Sequence, residues 1–572
     1  MKCADLIAKY LKSLGIDTVF GYQGSSISHT IDSISRMDGM QFVECRHEQG
    51  ASFEAVGYAL AKNGLGAAVS CSGPGATNMI TGIADAWYDS VPVIFLVGQV
   101  SVKELRQDKG QRQSGFQEAD IVSMVRGVTK YADIVLDGKD ILWQLEKAVW
   151  IAKEGRKGPV LLEIPHNVQG MDIGDEDQLK HFECPYETFL PDEKLIKSSL
   201  GSFCLSSRPL LLIGGGFPFH QKETIGRFCE KSSIPVVCSY LGKDRFNNES
   251  RNYLGVIGVY GSRAANLAVR YCDCLLVLGS RLDGRQTGGD WDSFAPEAKI
   301  IAVDIDEHEL YKSDRVISIR CEIEEFLKKL YVSDSKTNRN KWTLGLQRLK
   351  DKFRSSSEYI QPEGVNPNLL IETVCRMMPD QTAYSTDVGQ NQIWTNASAI
   401  ISPNSRLIQS GGLGSMGFAL PASIGTWYAG FRSIVCFVGD GGFQMNIQEL
   451  QVISENKVPV KIFIFNNKSL GLIRVYQNKA LGRRHYGSVE QFSSPDYEMI
   501  AKAYGLSYFR VSQNQEIAQL DKGLKSNSPV IIEVIVSENS ESYPEPTYKK
   551  KVFEQSPELS EDEIKACEEI LI

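Results

Sequence analysis

The chain has 572 residues, 42% of them hydrophobic and 23% charged, with 62 basic residues against 70 acidic ones and a formal charge of -8. That length exceeds what one apolar core can organise, and at roughly 150 residues per domain it suggests three or four, of which three is favoured. The mild acidity and the lack of any Lys/Arg block exclude nucleic acid and an anionic membrane as evident partners. The 13 cysteines are odd in number and form no CxxC pair, which argues for reduced thiols in a cytoplasm, without disulfides or structural zinc. Met1 to Phe20 is amphipathic rather than a signal peptide, and apolar runs such as Pro209 to Ile213 stop far short of the roughly 20 residues that cross a bilayer.

In chain order, the first segment alternates helix and strand. The pattern predicts a helix over Ala4–Leu14, strands at Thr18–Phe20 and Phe42–Cys45, and a helix over Gln49–Ala61. Strand Ala67–Ser70, a helix after Gly75, and strands Pro92–Val97 and Pro159–Ile164 follow. Such alternation predicts a parallel sheet covered by helices. Asp172 to Glu193 reads as a linker. A second alternating unit has strands at Pro209–Ile213, Pro235–Cys238, Cys274–Gly279 and Ile300–Asp304, and Ser333 to Gly364 is a charged helix and connector. The third has strands at Ala383–Thr386, Ile434–Gly439, Val460–Asn466 and Val530–Val536. The expected architecture is therefore α/β, three doubly wound parallel-sheet domains over 1–173, 193–333 and 366–540, with a tail at 541–572.

The strongest chemical signal is Gly439-Asp440-Gly441 at the end of one predicted strand, with Asn466-Asn467 at the end of the next. Two carboxyl strand ends can present Asp440, the Asn467 amide and a nearby backbone carbonyl, that of Ser469, to one hard cation. Gly439, Gly441 and Gly442 meanwhile let the backbone approach a diphosphate. Mg²⁺ with a diphosphate suits this set, although Gly, Asp and Asn are also what ordinary turns use. Gly412 to Gly417 satisfies GxGxxG, but without a clear preceding strand it is a poor dinucleotide fingerprint.

GDG followed by about 25 residues and NN resembles the cofactor fingerprint of thiamine-diphosphate enzymes. The likeness extends to FGYQG (20–24), RHEQGASFEAVGY (46–58), SGPGATNMITGIAD (72–85), DSVPVIFLVGQ (89–99), Phe116-Gln117-Glu118, GLGSMGFALPA (412–422) and GDGGFQMNIQEL (439–450). Together these blocks are similar to the acetolactate synthase catalytic subunit. The resemblance implies a pyrimidine-binding, a central FAD-type and a diphosphate-binding domain. It also assigns roles. Glu48 would hydrogen-bond the thiamine pyrimidine, and a carboxylate sharing a proton with that ring favours the imino tautomer, which can take the proton from thiazolium C2. Met416, which alone would read as core filling, would be the wedge that bends the cofactor, with Gly414 beside it. Gln117 and Lys130 would lie near the thiazolium, Phe116 against the substrate, and Ser25 in the loop whose N–H faces the reacting carbonyl. Arg285 would meet an acceptor carboxylate, to which a guanidinium donates two parallel hydrogen bonds; an ion pair with Asp283 is the bland alternative. Gly215, Arg281 and Asp304 mark the expected FAD site.

Departures from the family pattern gather near the substrate: Gln23, Ser25 and Ser26 in the first loop, Tyr476 for the usual Trp, Gly284 beside Arg285, and Tyr260 for His. The added hydroxyls favour a more polar reactant. The expectation is thiamine-diphosphate-dependent decarboxylation of a 2-oxo acid, pyruvate first, with transfer of the two-carbon unit to an acceptor carbonyl. The alternatives are transfer to a keto-sugar and simple decarboxylation. Retention of Glu48, Asp440, Asn467 and Met416 counts against a non-catalytic relative. Expected partners are the small-molecule donor and acceptor, further copies of the chain in a dimer or tetramer that buries Phe53, Val56 and Tyr58 between subunits, and a regulatory subunit.

Overall fold

The computed structural model describes residues 1–106, 110–185, 191–330, 339–359, 363–547 and 550–571. Parts of the expected linker and of the Ser333–Gly364 connector lie outside the described residues. The first sheet contains β1 (Thr18–Gly21), β2 (Gln41–Glu44), β3 (Gly66–Ser70), β4 (Val93–Gln99), β5 (Tyr131–Ile134) and β6 (Val160–Pro165), in the order β2-β1-β3-β4-β6-β5. The second contains β7 (Pro209–Ile213), β8 (Val236–Cys238), β9 (Tyr253–Val256), β10 (Cys274–Leu278), β11 (Lys299–Asp304) and β12 (Val316–Arg320), in the order β12-β11-β10-β7-β8-β9. The third contains β13 (Thr382–Thr386), β14 (Arg406–Gln409), β15 (Ser433–Gly439), β16 (Val460–Asn466), β17 (Ser507–Val511) and β18 (Val530–Ile535), in the order β14-β13-β15-β16-β18-β17. Every pair within them is parallel. Helices cover both faces, which is why the central strands are unbroken apolar runs.

The first and third sheets share one strand order, and the middle sheet has the 3-2-1-4-5-6 order of dinucleotide-binding folds. In each, the chain leaves two neighbouring inner strands toward opposite edges: β1 and β3, β7 and β10, and β13 and β15. The loops leaving the carboxyl ends of those strands diverge and open a crevice, the usual place for ligands in open α/β sheets. All three crevices coincide with motifs singled out above.

The first and third domains are joined by a helix pair, Glu48–Lys62 against Ala419–Tyr428. Glycines set their separation: a Cβ on Gly57 would lie 2.4 Å from the Ala422 carbonyl oxygen, and one on Gly425 would lie 2.0 Å from that of Glu54. Phe53 stacks edge-on against Phe418 at 5.3 Å, and Phe20 against Tyr428 at 5.7 Å. Phe53, Val56 and Tyr58 are therefore buried inside one chain, in a core shared by two of its domains. This corrects the expectation that a second subunit covers them: the small residues of the third-domain helix already seal that face. Gly425→Ala should cost about 1 to 3 kcal/mol, because the obstruction is backbone that cannot turn aside. The check is chemical denaturation, in which an unchanged midpoint would contradict the close approach.

The tail returns to the middle domain. Its helix Glu561–Leu571 packs on helix Arg339–Lys352, so that Cys567 and Leu571 join Trp342 and Leu346 in one core. Arg263 donates to the Gln555 carbonyl at 3.1 Å, and the Tyr271 hydroxyl donates to Glu568 at 2.7 Å.

Candidate active site

At the crevice between β13 and β15, Asp440 opens a helix directly after β15, and Asn467 and Ser469 follow β16. The buried Asp440 carboxylate accepts from the Gly441 N–H at 2.9 Å and from the Ser494 hydroxyl at 3.3 Å. Burial pushes this carboxyl up to about 7, opposed by those bonds and by the Ser469 and Lys468 amides. The Ser469 hydroxyl is buried without a partner. A carboxylate so poorly compensated, beside an amide oxygen and an orphaned hydroxyl, fits a small divalent cation held by oxygen ligands. The Asn467 amide is oriented by donation to Gln390 Oε1 at 2.9 Å and to the Ser540 hydroxyl at 3.1 Å.

Glycines line this crevice. A Cβ on Gly439 would meet Asn391 Oδ1 at 3.3 Å, and one on Gly442 would meet the Asp387 carboxyl at 3.0 Å. A Cβ on Gly441 would meet Leu470 and, at 3.4 Å, the end of the Met416 side chain, so Met416 and Gly441 are neighbours. Gly414 has φ +72°, in the left-handed region that favours glycine.

The loop that carries Gly414 and Met416 follows a strand after all, β14, and leads into the helix Ala419–Tyr428. This corrects the expectation that Gly412–Gly417 lacks a preceding strand. Three aspartates hold this loop, Asp85 and Asp387 buried and Asp89 half-buried, and none of them stands out in the sequence as a site residue. Asp85 accepts from the Ser410 and Ser415 hydroxyls, the latter at 2.9 Å, and Asp89 accepts from the Gly411 and Gly412 N–H groups at 2.8 and 2.6 Å. Asp387 accepts from the Gly417 N–H at 3.0 Å and the Ala419 N–H at 3.3 Å. Burial raises these carboxyls to about 8, 6 and 7 respectively. Asp85 and Asp89 sit in blocks already quoted, and only the fold shows that they reach across a domain boundary.

The crevice between β1 and β3 gathers Glu48, Ser25 and Gln117, whereas Lys130 precedes β5 and so lies at the opposite, amino ends of the strands. Glu48 begins the helix after β2, capped by His47, whose Nδ1 accepts from the Gln49 N–H at 3.1 Å. The Glu48 carboxylate is buried, accepts from Asn78 at 2.9 Å, and lies 3.1 Å from where a Cβ on Gly75 would stand. Gly73 is pressed against the backbone of Gln117, which has φ +65°. Ser25 is exposed on a short 3-10 turn, and Phe116 is 85% exposed. Ser26 departs from expectation. Its hydroxyl is buried and accepts from the Ser72 N–H at 2.9 Å, so it braces the loop rather than facing a reactant. Lys130 donates to the Glu154 carbonyl at 2.6 Å, and burial lowers its pKa; among the described residues no hydrogen bond ties it to Glu48. Among the described residues no hydrogen bond joins Glu48 to the Asp440–Asn467 group either.

Gly215, Arg281, Asp304 and Arg285 line a cavity of about 380 Å³ at the crevice between β7 and β10. The Arg281 guanidinium pairs with Asp283 at 3.1 Å, whereas that of Arg285 lies 5.0 Å from the Tyr240 ring, so the bland Arg285–Asp283 pairing is not what forms. The Tyr240 hydroxyl, also on this cavity, is buried without a partner. Tyr476 is 61% exposed on the helix Gly471–Ala480.

Comparison with known proteins agrees with this geometry. The chain matches the family "Thiamine pyrophosphate enzyme, N-terminal TPP binding domain" over residues 1–124, its central domain over 204–330, and its C-terminal TPP binding domain over 387–534. It is 33% identical over 549 residues to the acetolactate synthase large subunit of Lactococcus lactis, covering 95% of this chain and 93% of that one. It is 32% identical to the acetolactate synthase isozyme 2 large subunit of Escherichia coli, covering 95% and 97%. With the probable acetolactate synthase large subunit of Methanocaldococcus jannaschii it shares 34% identity, over 94% and 92%. Duplicate sheet order, a cation-ready acid at one crevice and a buried glutamate at another thus agree with similarity along nearly the whole length, and the chain belongs to the thiamine-diphosphate enzymes of the acetolactate synthase large-subunit family, which form carbon–carbon bonds.

Proposed function

We propose that this enzyme decarboxylates a 2-oxo acid, pyruvate, and transfers the two-carbon unit to a second carbonyl compound. The observation that carries the reading is the crevice that brings Asp440, Asn467 and the unpartnered Ser469 hydroxyl to adjacent strand ends beside Gly439, Gly441 and Gly442, with Met416 next to Gly441. Thiamine diphosphate, when bound, supplies the carbon nucleophile and stores the electron pair released with carbon dioxide. Asp440, the Asn467 side chain and Ser469 would hold Mg²⁺ against the diphosphate, Gly439, Gly441 and Gly442 would let the backbone approach it, and Glu48 would hold a proton at the pyrimidine nitrogen. Incubation with pyruvate, thiamine diphosphate and Mg²⁺, with and without candidate acceptors, followed by mass spectrometry of the products, tests this. Absence of carbon dioxide release would defeat it. The exposed hydroxyl-bearing side chains of Ser25 on the first domain and Tyr476 on the third favour a second reading, a keto-sugar acceptor, which the same product analysis distinguishes.

Asp440→Ala should weaken Mg²⁺ and thiamine diphosphate together by about 100-fold or more, since even a residue that only orients a ligand costs 10- to 100-fold. Titration calorimetry showing wild-type cofactor affinity would remove Asp440 from the metal site.

The middle cavity fits FAD: it lies at the turning point of a dinucleotide-type sheet, with glycine backbone and Arg281 for phosphates, Asp304 for a ribose, and an unpartnered Tyr240 hydroxyl. Protein purified with added FAD should release about one flavin per chain on heating, read by absorbance; a flavin-free protein that does not take FAD up would exclude it.

Glu48 and Asp440 sit on different domains, and apolar side chains near both crevices face solvent: Phe116 and Met124 on the first domain, Leu413, Met445 and Ile473 on the third. A second copy of the chain, in a dimer or tetramer, would cover them and bring one Glu48 to the partner's diphosphate crevice. The relatives bear the name large subunit, which makes a regulatory subunit a further partner to seek by co-purification.

A further inference from the structure

A second group of acids lies apart from the metal crevice. Cys45 Sγ and the carboxyl oxygens of Glu54 and Glu449 lie within 4.8 Å of one another, and all three side chains are fully buried. Glu54 comes from the helix that begins at Glu48, whereas Glu449 comes from the third domain, shortly after the helix Asp440–Met445. Both Glu449 oxygens accept from the Arg46 N–H at 3.1 Å, two residues before Glu48. The approach depends on Gly50, where a Cβ would stand 2.4 Å from Glu449 Oε1. Close by, the Asn446 amide donates to Gln49 Oε1 at 3.1 Å and to the Gly417 carbonyl at 2.9 Å.

Two carboxylates this close and fully buried cannot both be charged. Glu449 has backbone donors, but neither Glu54 oxygen has a hydrogen-bond partner when both groups are ionised. Sharing a proton with Glu449 supplies one. We propose that Glu54 and Glu449 hold one proton between them and act as a positioning pair, in which the charged Glu449 clamps the Arg46 backbone and so fixes where Glu48 begins its helix. Burial and the charge of Glu449 hold the Glu54 carboxyl well above the usual carboxylate range. The other ionisable groups facing the pair are the Cys45 thiol, Arg46, which is paired with Glu455, the His47 cap, and Tyr428 on the third-domain helix. The clamp links two functional segments of one chain, the stretch after Asp440 and the start of the Glu48 helix. Its importance for turnover rests on the role proposed for Glu48.

Because Glu54 is protonated when folded at a pH where the unfolded chain would release that proton, it contributes stability that is complete below the ordinary glutamate range and fades as pH rises through its raised value. Glu54→Gln keeps the volume and a donor but cannot ionise. Thermal unfolding from pH 5 to pH 9 should therefore show a shallower loss of stability for Glu54→Gln than for the wild type, with kcat within about 3-fold of it. Glu449→Gln should lower kcat about 10-fold or more while leaving KM for the 2-oxo acid within 2-fold, and should speed hydrogen exchange at the Arg46 amide. A merely structural pair would lower the melting temperature without that split between kcat and KM. Parallel pH–stability curves for wild type and Glu54→Gln would overturn the shared proton, even if Glu449→Gln failed to fold. So would a stoichiometric metal, found by mass spectrometry, that Asp440→Ala protein retains and Cys45→Ser protein loses. Wild-type activity in Glu48→Gln would instead defeat the assignment of Glu48 and leave the stability test of the pair standing.

Discussion

Glu48→Gln should fold normally, bind thiamine diphosphate and Mg²⁺ within a few-fold of the wild type, and turn over about 10² to 10⁴ times more slowly, the usual range for losing one positioned acid–base group. The substitution preserves shape: the Glu48 carboxylate is buried beside Gly75 and accepts from the Asn78 amide at 2.9 Å. A carboxamide of the same size keeps that acceptor and still reaches the pyrimidine nitrogen, but it cannot share a proton with it. The loss corresponds to about 3 to 5 kcal/mol of barrier. Steady-state kinetics paired with calorimetric cofactor titration separates the two effects. Turnover near the wild-type rate would remove Glu48 from the mechanism, and a loss of cofactor affinity matching the loss of rate would make it a binding residue only.

Mixing two inactive variants should restore activity. Glu48→Gln damages the first-domain half of a site and Asp440→Ala the third-domain half. If each working centre pairs these halves from different chains, a mixed dimer holds one intact centre and one carrying both lesions. Random exchange at equal concentrations makes half the dimers mixed, so recovery should approach about a quarter of the wild-type activity, starting from almost none. The single chain gives a physical reason to expect this. Its own first and third domains are closed against each other by the Gly57 and Gly425 contacts and by Phe53 against Phe418, whereas Phe116 and Tyr476 face outward. No recovery after exchange has been confirmed with tagged chains, or full activity in a monomer by sedimentation, would place both halves in one chain.

Most of the fold is legible in the amino-acid sequence, and the strands that are not legible have one cause. Strands β3, β4, β6, β7, β10, β15, β16 and β18 lie between two neighbours and under helices on both faces, so they appear as unbroken apolar runs. The strands that escaped, β5, β9, β12, β14 and β17, each lie at the edge of a sheet. An edge strand has one neighbour and often a wet face, and the intermediate and exposed residues of β12 and β17 dilute the apolar pattern. Missing β14 also hid the strand before Gly412–Gly417. The residues of the candidate diphosphate crevice are local, adjacent to strand ends in a recognisable spacing, and that spacing with the resemblance singles out Asp440, Asn467 and Met416 as candidates. What holds the crevice in shape is not local. Asp85 and Asp89 reach Ser410 to Gly412, Glu449 reaches Arg46, and Phe53 finds its partner 365 positions on at Phe418. A buried carboxylate's partner depends on which helix the fold lays beside it, and a single chain's residue pattern encodes burial and periodicity but not that neighbour. Only the packing of the first domain on the third decided it.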